Sequence, residues 1–160
     1  MHCESCHSSI AIFCVGNYYL SDDGIGIHLY NELKRLSFPK KVHIYQFGLL
    51  GFSQIEYFLA YRKLIIVDAV KGYGNPGDII KIDLLSSEDT NNSNLITSHD
   101  IGIFQLLSLV RLLYPSKIPN ELILIGIESK ITNTFSTKLS PVINNAMLNL
   151  KNVIINEIQK

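Results

Sequence analysis

Two adjacent acids, Asp22 and Asp23, stand in a loop between an apolar strand and a helix, within GNYYLSDDGIGIH. A third acid, Asp68, ends a second apolar run, LIIVD, and His99 comes just before another helix. In an open α/β sheet such loops gather at the carboxyl edge of the strands, where ligands bind. Carboxylates and an imidazole that meet at this edge would make a metal site or an acid–base site.

Each of these residues also has a purely structural explanation. Asp22 alone suits the N-cap of the helix that follows, where a carboxylate accepts backbone N–H groups. Capping explains one acid of the pair and not both, so Asp23 is the better candidate for a metal ligand, with Asp22 capping or supporting it. Asp68 could brace the next loop and His99 could simply be exposed. A histidine that meets two carboxylates, however, suits a divalent transition metal with open positions.

The elements that must position these residues alternate between strand-like and helix-like segments. Continuous apolar runs such as Leu64–Asp68 are typical of strands buried on both faces of a parallel sheet. Strands are predicted at Ile10–Val15, Val42–Phe47, Leu64–Asp68, Asp78–Asp83 and Glu121–Ile127, and helices at Gly24–Leu36, Phe52–Ala60, Ile101–Leu113 and from Ser140–Pro141 onward. The predicted fold is a three-layer α/β sandwich whose mostly parallel sheet of about five strands is flanked by helices.

Length and composition narrow the possible functions. The chain has 160 residues, 47% of them hydrophobic and 18% charged, which favours one domain, and we expect it at residues 10–160 behind a flexible tail at 1–9. The formal net charge is zero without a basic cluster, which argues against nucleic acid and anionic membranes as partners. No apolar run is long enough to span a bilayer, and three cysteines in a chain of this length are not expected to form a disulfide framework. Residues 1–9 lack the charged start and long apolar middle that are typical of a secretory signal. A cytoplasmic location is therefore expected.

Three further motifs are weaker. HCESCH, the segment 2–7, has the C-x-x-C spacing of half a zinc site, but a lone pair in a tail favours a frayed segment over a metal site. Gly16, Gly24 and Gly26 lack the spacing of a dinucleotide-binding turn, and two carboxylates stand where a pyrophosphate would bind. The serines lack a G-x-S-x-G elbow and Cys14 stands inside a strand, so a serine or cysteine hydrolase is not supported.

Four segments, in order along the chain, resemble the hydrogenase maturation proteases, the endopeptidases that process the large subunit of nickel–iron hydrogenases. They are GNYYLSDDGIG, LIIVDAV followed by NPGD, TSHDIGIFQLL and LILIGIES. The resemblance covers nearly the whole chain from Ile10 onward. It implies that the acid after the first strand, the acid after the third strand and the loop histidine bind a metal, which are Asp23, Asp68 and His99 here.

The resemblance further implies a cytoplasmic enzyme that removes a C-terminal extension from the nickel-loaded large-subunit precursor. The precursor's own nickel would be the recognition element, and no organic cofactor is implied. In this hypothesis the nickel is bound by Asp23, Asp68 and His99. The nickel either assists catalysis directly, or it only positions the scissile bond while Asp22 or Asp68 acts as the general base. A non-enzymatic nickel carrier with HCESCH as a metal shuttle is the alternative function, and a peptidase of the spore germination type is a second.

Two segments depart from the family's pattern. Where a glycine–threonine pair usually follows the second strand, this chain reads FGLLG at 47–51. Where a proline often follows the last strand, it reads ES at 128–129. Both lie near the expected site, so we expect them to affect which hydrogenase is recognised.

Overall fold

The centre of the molecule is a sheet covered by helices on both faces, and the computed structural model describes residues 9–86, 96–97, 100–129 and 134–160 of it. The strands are β1 (Ile10–Val15), β2 (Val42–Phe47), β3 (Lys63–Lys71), β4 (Ile79–Asp83), β5 (Ile96–Thr97) and β6 (Glu121–Glu128). Five of them follow the order β2-β1-β3-β6-β4, and the two-residue β5 pairs with β3. β1, β2, β3 and β6 run parallel, whereas β4 and β5 pair antiparallel with β6 and β3.

The described helices form the outer two layers. They are α1 (Ile25–Leu33), α2 (Ile55–Ala60), α3 (Asp100–Leu113) and α4 (Pro141–Ile158). α1 and α4 pack on the face of the sheet that carries Ile12 and Ile65, and α2 and α3 on the face that carries Phe13 and Ile66. Successive side chains of a strand enter different cores because they alternate between the faces. The predicted three-layer α/β sandwich is confirmed. Within the described residues, none of the helices has the length and apolar character needed to span a bilayer.

Three elements differ from their predicted bounds by three residues at one end. The helix predicted at Phe52–Ala60 begins as the 3-10 turn Phe52–Gln54 and is α-helical only from Ile55. The helix predicted at Gly24–Leu36 ends at Leu33, where its last turn tightens, and Leu36 is 40% exposed, so a longer helix would bury little apolar surface. The strand predicted to end at Asp68 continues to Lys71, because β5 and β6 pair with its last residues. Asp68 therefore lies inside β3. Of the predicted tail, only the ninth residue lies within the described part of the chain.

A buried ion cluster joins the end of α4 to the amino edge of the sheet. Glu157 is 3% exposed and accepts hydrogen bonds from Lys63 at 3.2 Å, Lys81 at 2.5 Å and Lys160 at 3.2 Å. Lys63 also pairs with the more exposed Glu121 at 3.0 Å. Burial alone would raise the pKa of Glu157, but the hydrogen bonds from the three lysines outweigh it and lower the pKa to about 2. Glu157 is therefore ionised in the folded protein and stabilises it.

Replacing Glu157 with glutamine should lower the free energy of unfolding by about 1–3 kcal/mol at neutral pH, because buried Lys63 then keeps a weaker acceptor. A carboxyl whose pKa falls on folding stabilises the fold above its unfolded value of 4.5, and this contribution is lost as the pH falls toward 2. In urea unfolding, the gap between wild type and Glu157→Gln should accordingly be widest at neutral pH and should narrow below pH 4.5.

The matched control is Glu121→Gln, since the Glu121 side chain is 54% exposed. Exposed ion pairs contribute at most about 1 kcal/mol, so this variant should lose less stability. A loss at Glu157 no larger than that at Glu121, or a loss that is the same at pH 3 and pH 7, would contradict the role of the cluster.

Candidate functional site

Asp68 is a fully buried carboxylate in the central strand. Its exposed fraction is 0%, and its Oδ1 accepts the backbone N–H of Ala69 at 2.8 Å. The pairing of β1 with β3 stops at Cys14 and Val67, one residue before Asp68, whereas β6 continues to pair with β3 beyond it. Asp68 therefore lies where β1 ends, at the carboxyl edge of the parallel strands, although its own strand continues.

The loop after β1 is held over this edge by close backbone contacts. A Cβ on Gly26 would lie 2.0 Å from the carbonyl oxygen of Val15. A Cβ on Gly16, whose φ is 151°, would lie 2.2 Å from the carbonyl oxygen of Asp23. Only glycine fits at such distances. The short 3-10 turn Ser21–Gly24, which carries both acids, contacts β3.

Asp22 is buried and joins this loop to α4. It is 1% exposed, and its Oδ1 accepts the backbone N–H of Ser140, the N-cap residue of α4, at 2.7 Å. In a capping box this N–H is bonded by the third residue of the helix itself, which here is the buried, apolar Ile143. Asp22 supplies the acceptor from a distant loop instead. The capping role expected for Asp22 is thus directed at α4, and the N-cap residue of α1 is Gly24.

Asp23 is half-buried and has different neighbours. Its Oδ2 accepts the backbone N–H of Asn17 at 3.2 Å, and its carbonyl oxygen accepts the same N–H at 3.2 Å. These bonds close the loop on itself rather than joining it to another element. Of the two adjacent acids, Asp23 is the more accessible.

The predicted ligand His99 lies outside the described residues. Within residues 9–86, 96–97, 100–129 and 134–160, no group of three His, Cys, Asp or Glu side chains is arranged to hold a metal ion. The structure brings the turn that carries Asp22 and Asp23 against the strand that carries Asp68. The ligand set of Asp23, Asp68 and His99 stays a prediction, as does the catalytic role of Asp22.

Two nearby side chains have structural roles. Cys14 is completely buried in β1, and burial raises the pKa of its thiol, which makes it unsuited as a nucleophile. Glu128, in one of the departing segments, is 6% exposed, and its two carboxylate oxygens accept the backbone N–H groups of Gly72 at 2.8 Å and Tyr73 at 2.9 Å. It fixes the turn after β3. Sequence reasoning missed this role because the partners are more than 50 residues apart, 56 for Gly72 and 55 for Tyr73.

Comparison with known sequences gives a consistent result. A family model described as hydrogenase maturation protease matches residues 27–157. The hydrogenase 2 maturation protease of Escherichia coli is 30% identical over 122 residues, which cover 74% of this chain and 71% of that protein. The hydrogenase expression/formation protein HupD of Bradyrhizobium diazoefficiens is 24% identical over 145 residues, which cover 88% of this chain and 73% of HupD.

The fold is also similar to solved structures. The hydrogenase maturating endopeptidase HybD of E. coli gives a TM-score of 0.81 at 22% identity, and the match covers 94% of this chain and 92% of the HybD chain. The [NiFe] hydrogenase maturation protease HybD from Thermococcus kodakarensis gives a TM-score of 0.76 at 18% identity, with 94% and 99% coverage. At such identities the likeness establishes the fold.

Asp22→Ala should lower the free energy of unfolding by about 1–3 kcal/mol, because the Ser140 N–H loses its acceptor. Asp22→Asn keeps an oxygen for this N–H and should lose less. Ser140→Ala is the control: it keeps the N–H and removes a hydroxyl that is buried without a hydrogen-bond partner among the described residues. It should cost less than about 0.5 kcal/mol, below the usual loss at an N-cap serine. Chemical denaturation gives the ranking, and equal losses for the two alanine variants would contradict it.

Gly26→Ala should destabilise the fold by more than about 3 kcal/mol or prevent folding, because the new Cβ would overlap the Val15 carbonyl oxygen in a buried strand. At Gly48 nothing lies within 4 Å of a Cβ, so Gly48→Ala should change stability by less than about 0.5 kcal/mol. The yield of folded protein and the thermal unfolding midpoint separate the two variants. Equal midpoints would show that the loop is not held by the contact at Gly26.

Proposed function

The chain belongs to the hydrogenase maturation protease family, and from this premise we propose that it removes the C-terminal extension of the large-subunit precursor of a nickel–iron hydrogenase. The structural observation that supports a hydrolytic site is the buried carboxylate of Asp68 beside the loop of Asp22 and Asp23. This position, at the carboxyl edge of parallel strands, is where α/β sheets bind their ligands.

The precursor's own nickel is the proposed recognition element, and the metal belongs to the substrate. Asp23 and Asp68 offer carboxylate oxygens and His99 an imidazole nitrogen, a donor set that suits a divalent transition metal. Bound there, the metal would polarise the scissile carbonyl or register the bond that is cut. No organic cofactor is part of the proposal, and the cytoplasmic location stays a prediction.

The chain on both sides of His99 supports its assignment to this site. Thr97 pairs with Val70, two residues beyond Asp68 in β3. Asp100 begins α3, whose buried side chains pack in the same core as Val70. Because side chains alternate along a strand, Asp68 and Val70 share a face of the sheet. The segments before and after His99 therefore both meet β3 close to Asp68, α3 on the face that carries Asp68.

Hydrolysis of a peptide bond also needs a base for the attacking water, and a carboxylate is suited to that task. Asp22 and Asp68 each use one carboxylate oxygen to accept a backbone N–H, from Ser140 and Ala69, so both acids stay candidates for this base. The bond to Ser140 also gives Asp22 a positioning role, because it ties the loop to α4. The alternative of a nickel carrier relies on the segment 2–7, which lies outside the described residues. The two functions differ in whether the precursor becomes shorter.

Intact-mass spectrometry of a nickel-loaded precursor should show the loss of one C-terminal peptide with wild type. Asp68→Asn and His99→Ala should cleave at least about 100-fold more slowly, because an amide is a poor base and alanine cannot bind metal. Nickel-free precursor should stay intact. Asp83→Asn, which changes an exposed acid on β4, is the matched control and should cleave like wild type.

Results that differ from these expectations would contradict different parts of the proposal. A verified cognate precursor that wild type leaves intact would overturn the protease function and favour the carrier. Equal rates for wild type and Asp68→Asn would keep the protease but remove Asp68 from its site. Cleavage of nickel-free precursor at the same rate would remove nickel as the recognition element.

A further inference from the structure

A group of exposed apolar side chains borders the loop that carries the two acids. The group consists of Tyr18, Tyr19, Leu20 and Phe135, which we call the aromatic pad. Phe135 is 77% exposed and Tyr19 55%. Their rings stack with centroids 5.7 Å apart and planes 7° apart, and Tyr18 meets Tyr19 edge-on at 5.6 Å. Large apolar side chains grouped in this way on a surface mark a site of interaction.

The backbone beneath the aromatic pad is firmly held. Leu20 and Ser136 form a parallel β-bridge, in which the Ser21 N–H donates to the Ser136 carbonyl at 2.8 Å and the Ser136 N–H to the Tyr19 carbonyl at 2.9 Å. Ser21 has a φ of 51°, a left-handed conformation that is uncommon outside glycine, and its hydroxyl donates to the Lys138 carbonyl at 3.0 Å. Strain of this kind is found at functional sites, and a rigid surface loses little entropy on binding.

α1 supports the same surface from one side. The His28 ring lies 5.2 Å from the Tyr18 ring, and its Nε2 lies 3.1 Å from the carbonyl oxygen of Thr137. Because a carbonyl can only accept, Nε2 donates the hydrogen bond. His28 thereby links the two chain segments that form the aromatic pad.

The composition of the aromatic pad favours a polypeptide as its occupant. The four side chains of the aromatic pad are uncharged and apolar or aromatic, so the pad itself offers no cation to bind the phosphates of a nucleic acid or a lipid. Rigid tyrosine and phenylalanine rings are typical of the residues that dominate binding between proteins. The aromatic pad is also continuous along the chain with Asp22 and Asp23, and an endopeptidase must hold its substrate beside the bond that it cuts.

We propose that the aromatic pad binds an apolar side chain of the precursor polypeptide near the scissile bond and supplies affinity rather than chemistry. This inference rests on the proposed function, because the polypeptide on the pad is the one that the neighbouring acids process. A contact that is equally strong in the bound substrate and in the transition state lowers KM and leaves kcat unchanged.

Cleavage kinetics with the nickel-loaded precursor test the aromatic pad. The double variant Tyr19→Ala/Phe135→Ala should raise KM about tenfold or more, with kcat within about twofold of wild type, because it truncates both stacked rings. Tyr19→Phe keeps the ring and should keep the KM within about twofold. Leu112→Ala is the matched control, since Leu112 is also 77% exposed but lies near the end of α3, and both constants should stay unchanged.

The possible failures are distinguishable. A double variant with wild-type KM, or with reduced kcat at unchanged KM, overturns the role of the aromatic pad and leaves the protease function intact. If wild type cleaves no precursor, the proposed function fails, and calorimetric binding of intact precursor then tests the pad: equal affinity of wild type and double variant overturns it. Sedimentation showing a wild-type dimer that the double variant loses would identify the pad as a self-association surface and overturn the inference.

Discussion

The hydrogen bond from the Ser140 backbone N–H to the buried carboxylate of Asp22 links the loop after β1 to the first residues of α4. Ser21 and Ser136 reinforce the same link through backbone hydrogen bonds. A carboxylate beside the N-terminus of this 18-residue helix also interacts favourably with the helix dipole. Since Asp23, Tyr18, Tyr19 and Leu20 all lie on this loop, their positions depend on these hydrogen bonds between two distant parts of the chain.

Buried carboxylates at the two edges of the sheet are compensated in different ways. At the amino edge, Glu157 receives hydrogen bonds from three lysines, which satisfy its charge and leave it a structural role. At the carboxyl edge, Asp22, Asp68 and Glu128 accept hydrogen bonds from backbone N–H groups. Burial of an ionised group is costly unless donors compensate it, and N–H groups do so without adding a positive charge. The described carboxylates at the carboxyl edge are thus held by backbone N–H groups, whereas Glu157 at the amino edge is held by lysine side chains.

Local patterns in the sequence predicted the layers of the fold but not the contacts between distant segments. β1 and β2 have the predicted bounds, because an apolar strand between turn signals is recognisable from its own residues. The prediction ends β3 at Asp68, where the continuous apolar run meets an acid, but pairing with β6 continues the strand beyond it. The partner of Asp22 lies 118 residues away, and the stacking of Tyr19 on Phe135 likewise joins remote segments, so no spacing rule could find either.

The two adjacent acids have separate roles because of the turn that carries them. A 3-10 turn has about three residues per turn, so successive side chains diverge by about a third of a turn. Asp22 consequently bonds to α4 while Asp23 stays half-exposed at the edge of the sheet. Both positions are fixed by the glycine contacts on either side of the turn, so a change of residue at either acid would disturb the fold.

Side chains that are exposed at the same edge of the sheet can differ between related proteases without this cost to the fold. Leu50 is buried in the same core as Phe58, but its neighbour Leu49 is 61% exposed. Differences in which hydrogenase is recognised are therefore expected at Leu49 and at the aromatic pad rather than at the acids.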